Sequence, residues 1–132
     1  MKLLLDTHVV VWWYSDDAAL PAAWAKLLTE AESRGERMGV AAISLWEIAM
    51  LANRGRLRLT TAADAMLEEI ESHPSLAVLP LTARIAAESL RLGSGFPRDP
   101  ADRLIAATAR SHGLRLVTAD AQIRDSGVVA IV

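Results

Sequence analysis

The chain contains no cysteine. Disulfides, thiolate metal sites and thiol nucleophiles are therefore excluded. Phenylalanine and tyrosine occur once each, and Lys2 and Lys26 are the only lysines. No apolar stretch reaches eighteen residues without a charge, so no membrane span is expected. The apolar start ends at Asp6, and Val9 to Trp13 is too short for the core of a signal peptide and lacks a cleavage site, so a cytoplasmic location is expected. Charge of one sign is also lacking. A formal net charge of −2 gives no global attraction to nucleic acid, and a polyanion would have to be met by local basic groups. What remains is globular in character: 132 residues, 52% hydrophobic, the size of one domain spanning residues 1–132 around one core.

Short apolar runs alternate with segments of helical periodicity. Residues 2–5, 38–42, 76–81, 114–118 and 128–132 read as strands. Helices are expected from Asp6-Thr7 to Tyr14, and from Pro21 to near Gly35 with Trp24, Leu27, Leu28 and Ala31 on one face. Another opens at Ser44 and runs to Asn53 before Gly55. A fourth starts at Thr60 or Thr61, with Ala62, Met66, Leu67 and Ile70 as its apolar stripe. Thr82 caps a fifth, to about Leu92, with Ile85, Ala86 and Leu90 inward. The last runs from Asp99, as N-cap, and Pro100 to His112-Gly113. Nearly unbroken apolar strands between helices predict a mostly parallel sheet of about five strands covered on both faces.

Four acids follow apolar runs at places where a strand would hand over to a helix or turn: Asp6, Glu47, Asp102 and Asp120. Each has a local structural explanation. Asp6 can cap a helix, Glu47 stands at capping-box spacing from Ser44, Asp102 suits a first helical turn, and Asp120 suits a turn. Capping does not, however, require all four on one rim. Right-handed crossovers bring the carboxyl ends of parallel strands to one edge, where open α/β sheets bind ligands. Carboxylates converging there repel one another and call for a cation, best a hard divalent one with oxygen ligands. Such a metal can activate water and stabilise charge on a phosphoryl oxygen.

Other chemistries find little support. His73 and His112 lack ligand spacing for zinc, and His8 is expected to face a neighbouring helix. Gly93-Ser94-Gly95 lacks the Lys-Ser/Thr ending of a phosphate-binding loop, and no Gly-x-Ser-x-Gly elbow occurs. A phosphatase of the strand-end aspartate type would need an acid where His8 stands, and a receiver domain would need a late lysine.

Four segments carry a family resemblance: Leu4-Leu5-Asp6-Thr7-His8, Ile43-Ser44-Leu45-Trp46-Glu47-Ile48-Ala49, Asp99 to Ala109, and Leu116-Val117-Thr118-Ala119-Asp120. Together they resemble the PIN-domain ribonucleases, most nearly the VapC-type toxins of toxin–antitoxin pairs, over essentially the whole chain. The resemblance implies a three-layer α/β/α sandwich and a Mg²⁺- or Mn²⁺-dependent endoribonuclease. It matches Asp6, Glu47, Asp102 and Asp120 to the family's acidic quartet, with Asp99 as a rival for the third place. Thr7, Ser44 and Thr118 take supporting positions. It also implies an RNA substrate, a homodimer, and inhibition by a VapB-like antitoxin. Arg56, Arg58 and Arg103 are candidate RNA contacts, although solvated surface charge is the default account of most such residues. Trp12, Trp13, Leu45, Trp46 and Met50 are candidates for an antitoxin groove. The competing reading is a PIN-like module that binds RNA or protein without catalysis.

Overall fold

The computed structural model describes residues 1–57 and 62–132. Arg58 and the helix start expected at Thr60 or Thr61 lie outside the described residues. In chain order the elements are β1 (Leu3–Leu5), α1 (Thr7–Tyr14), α2 (Ala22–Ser33), β2 (Met38–Ala41), α3 (Ala42–Asn53), α4 (Ala63–Ser72), β3 (Leu76–Leu79), α5 (Ala83–Ser89), α6 (Pro100–His112), β4 (Arg115–Val117) and α7 (Ala121–Ser126).

The strands form a parallel sheet in the order β3-β2-β1-β4. Their side chains alternate between two cores, as the twofold period of a strand demands. Leu3, Leu5, Met38, Val40 and Val117 join Val9 and Val10 of α1, Leu28 of α2, Ile48 of α3 and Met66 and Ile70 of α4. Leu4, Ala41 and Leu116 pack the other way, against Ile105, Ala106 and Ala109 of α6 and Ile123 of α7. The result is the three-layer sandwich, with the strands buried on both faces. No helix among the described residues is long and apolar enough to cross a membrane.

The expected fifth strand is not formed. Residues 128–132 meet β4 through the single bridge Leu116–Ile131, because the backbones come together only between Ala130 and Val132. The other departures are local. α5 stops at Ser89, which leaves Leu90 83% exposed, and Ala86 stands on the outward face of α5 rather than inward. α3 begins at Ala42 with Ala41 as its N-cap, so Ser44 is an interior residue and no capping box forms. Glu47 consequently stands in the second turn of α3 rather than the first.

The strand order fixes where a site can form. The chain steps from β1 to β2 to β3 on one side, then returns to lay β4 against the other side of β1. The sheet therefore reverses direction at the β1–β4 pair, and a crevice opens beyond the carboxyl ends of those two strands. Asp6 immediately follows β1, and Thr118 to Asp120 follow β4.

Candidate active site

Asp6 prolongs the sheet by one bond, its amide donating to the Val117 carbonyl at 3.0 Å. Its side chain then turns back to cap α1. One carboxylate oxygen accepts from the Thr7 amide at 2.8 Å, and the other accepts from the buried Thr118 hydroxyl at 2.6 Å. The second bond crosses the switch point and ties the ends of β1 and β4 together. Thr118 also accepts from the Asp120 amide at 3.1 Å, while Asp120 caps α7 by accepting from the Ile123 amide at 3.0 Å. Asp6, Thr118 and Asp120 thus form one hydrogen-bonded corner.

The opposite wall is built through Thr7, which is 2% exposed. Its hydroxyl oxygen lies 2.9 Å from Ser44 Oγ and 2.5 Å from Glu47 Oε1. An ionised carboxylate can only accept, so Thr7 donates to Glu47 and Ser44 donates to Thr7. Ser44 therefore orients Glu47 through Thr7 rather than directly. The third wall is the start of α6. Asp99 caps it through the amides of Ala101 at 2.8 Å and Asp102 at 3.2 Å, with Pro100 at the first helical position. Asp102 sits in the first turn.

These walls enclose a cleft of about 430 Å³ lined by Asp6, Thr7, His8, Val9, Trp12, Glu47, Asp99, Asp102, Ala119 and Asp120. All four acids expected from the sequence meet there, and Asp99 with them. His8 is the exception to its expectation. It is exposed on the rim of the cleft, its ring 6.1 Å from that of Trp12, because α1 turns this face outward.

Crowding of like charge governs the electrostatics. Burial pushes the Asp102 carboxyl up to about 7, helped by repulsion from Asp99, Asp6, Glu47 and Asp120. Burial also raises Asp6, against the Thr118 and Thr7 hydrogen bonds and the attraction of His8. Glu47 is raised by burial and by Asp6 and Asp99, and is pulled back by its bond from Thr7. Among the described residues, no lysine or arginine lines this cleft. A site so loaded favours a cation, and its all-carboxylate donors suit a hard one. Among the described residues, no three histidine, aspartate or glutamate side chains converge tightly enough to hold an ion by themselves.

The remaining candidates separate. Arg103 is turned inward, donating to the carbonyls of Ser89, Gly93 and Phe96 and lying 5.8 Å from the Phe96 ring, so it braces the loop before α6. Arg56 is exposed beyond the end of α3. Trp13 packs edge-on against His73 at 4.9 Å, and Leu45 lies against the first core. Trp46, at 54% exposed, and Met50 line a separate groove beside the cleft. Sequence reasoning missed Arg124 altogether. From α7 it donates to the Thr118 carbonyl at 3.0 Å and lies over the Trp24 ring of α2 at 5.7 Å, bracing the Asp120 corner against α2. A basic residue two to four places beyond a candidate acid was the only available signal.

The PIN domain family model matches residues 3–128. Over 122 residues the chain is 39% identical to Ribonuclease VapC22 of Mycobacterium tuberculosis, covering 92% of this chain and 89% of that one. Among solved structures, VapBC2 from Rickettsia felis, bound to a DNA fragment from its promoter, aligns over 100% of this chain and 98% of its own. The TM-score is 0.72 and the identity 17%. DNA-bound VapBC from Salmonella typhimurium aligns over 100% and 97%, with TM-score 0.71 and 21% identity. Sequence and fold agree with the strand-end carboxylate cleft, and the chain belongs to the PIN-domain family, VapC type.

Proposed function

We propose that this protein is a Mg²⁺- or Mn²⁺-dependent endoribonuclease, hydrolysing RNA phosphodiester bonds as the toxin of a toxin–antitoxin pair. The observation that carries the reading is the gathering of Asp6, Glu47, Asp102 and Asp120 in one cleft at the switch point of the sheet. Its kinship with a named ribonuclease supports it.

Asp6 and Asp102 are the main candidates to hold the cation, directly or through water, with Asp120 completing the site. When bound, the cation supplies Lewis-acid neutralisation of phosphoryl charge and activation of water. The chain's own part is positioning. Thr7 and Thr118 fix the lone-pair directions of Glu47 and Asp6. Glu47, whose carboxyl burial raises from its ordinary value, is suited to take a proton from the attacking water. Asp99 keeps the first turn of α6, and with it Asp102, at the edge of the cleft.

The solved relatives are toxin–antitoxin complexes, and we assign this chain a VapB-like antitoxin and a homodimeric state. An antitoxin segment lying along Trp46 and Met50 would cover the approach to the carboxylates, and a basic side chain entering the cleft would match its charge. The reading is tested by incubating the purified protein with total cellular RNA in Mg²⁺ or Mn²⁺. Discrete cleavage that chelator stops and added metal restores is expected. Intact RNA under all conditions would refute it.

A further inference from the structure

The carboxylate cleft does not end at its own walls. On the α3 side it shares Glu47 and Asp99 with a groove of about 490 Å³, whose largely apolar lining includes Trp46 and Met50 and which also holds Arg54. On the α7 side a hollow of about 470 Å³ lies between residues 94–98 and α7, with Arg98 and Gln122 in its lining. Arg98 adjoins Asp99, and Gln122 stands two residues past Asp120, so the same two segments border both the hollow and the cleft. Among the described residues, each flank of the acidic centre therefore carries one arginine.

These two arginines differ from others nearby. Arg103 and Arg124 are bound to backbone carbonyls, and Arg110 is paired with Glu88 at 2.8 Å. No ion pair among the described residues involves Arg54 or Arg98. Trp46 is likewise distinct, since the other three tryptophans are at least half covered.

A phosphodiester reaching the carboxylates is not an isolated group. A nucleotide follows on either side, so a single strand crossing the cleft must lay its neighbours in both flanking hollows. Its phosphates are repelled by the acids, and a cation on each flank offsets that repulsion. An exposed indole offers the flat apolar face on which a base of any identity can stack. Asp125 also lines the α7 hollow, so the attraction there is confined to the vicinity of Arg98.

We propose that single-stranded RNA runs from the Trp46–Arg54 groove, across the carboxylates, to the Arg98–Gln122 hollow. Trp46 stacks on a base beside the scissile phosphate, and the two arginines hold the phosphates on either side. This path rests on the ribonuclease reading above.

The test uses an RNA the full-length protein cuts, with cleavage followed at several salt concentrations. Trp46→Ala should raise KM roughly tenfold with little change in kcat, and Trp46→Phe should recover most of the loss. Arg54→Gln and Arg98→Gln should each flatten the dependence of log(kcat/KM) on log[salt] by about 0.7, the contribution of one phosphate contact on a single strand. Arg84→Gln, on exposed α5, should leave both quantities alone. The concentration of Mn²⁺ giving half-maximal rate should stay fixed in every variant, which separates substrate contact from damage to the carboxylates. Unchanged KM and salt slope in the Trp46, Arg54 and Arg98 variants, with wild type active, would overturn the path and leave the groove to a protein partner. A wild-type protein that cuts no RNA would overturn the ribonuclease reading, and the path with it.

Discussion

Thr7 and Thr118 are both buried, and each gives its hydroxyl proton to a carboxylate of the cleft, Glu47 and Asp6 respectively. Valine has nearly the shape of threonine but no hydroxyl, so Thr118→Val should cost about 2 kcal/mol in urea denaturation through loss of a bond to a charged group. Thr7→Val should cost more, about 3 kcal/mol, because it also strands the Ser44 hydroxyl in a fully buried position. Thr7→Ser should recover most of that. Asp102 predicts a pH effect. Its folded-state carboxyl, at about 7, titrates far above the ordinary 3.8, so the folded state binds the proton more tightly than the unfolded chain. Stability of the metal-free protein should therefore fall as pH rises from about 4 through 7. Melting temperatures from pH 5 to 8 should show that decline, and Asp102→Asn should flatten it. The acids and their threonines were legible in the sequence as strand-end residues. The direction of Ser44 was not, since its spacing to Glu47 satisfies a capping box equally well.

α6 shows how an element places a residue. Asp99 caps its first amides, Pro100 stands where no amide partner is needed, and Gly113 closes it at φ +65°. Such ends are written in the sequence because each needs a particular residue type. Asp99→Ala should destabilise by about 1 kcal/mol and loosen the turn that holds Asp102. Gly39 of β2 is a second constraint, because a Cβ there would come within 3.0 Å of Leu4 Cδ1 and 3.3 Å of the Leu3 carbonyl oxygen. Gly39→Ala should cost about 1–3 kcal/mol by overpacking the sheet, read as a lower urea midpoint. The elements that sequence reading missed or overextended are the short ones. α7 has six residues, too few to show a helical stripe, and residues 128–132 are apolar like a strand yet form only one bridge. Apolar runs report burial, whereas strand pairing also depends on the path of the backbone.

At the scale of the whole molecule, function follows from strand order. Asp6 and Asp120 lie 114 residues apart in sequence, yet the return of β4 to the free side of β1 makes them neighbours in one corner. Helix α3 brings Glu47 to the same edge, and α6 brings Asp102. Alternating apolar and amphipathic segments foretold a parallel sheet, but not its order, because every crossover was compatible with several arrangements. A cation that relieves the crowded charge should stabilise the fold. At a hundredfold excess over its dissociation constant the gain is about 2.7 kcal/mol, visible as a higher melting temperature in Mg²⁺ or Mn²⁺ at pH 8 and lost in the Asp6→Asn/Asp102→Asn double variant. The most direct test of the central claim is the single-turnover rate of RNA cleavage in Mn²⁺ by wild type and by Asp6→Asn. Asparagine can still cap α1 through its amide oxygen, its amide nitrogen then donating to Thr118 Oγ1, so the fold should persist while the charge is removed. A loss of at least about a hundredfold, equivalent to about 2.7 kcal/mol of transition-state stabilisation, is predicted. Cleavage at the wild-type rate would contradict the account.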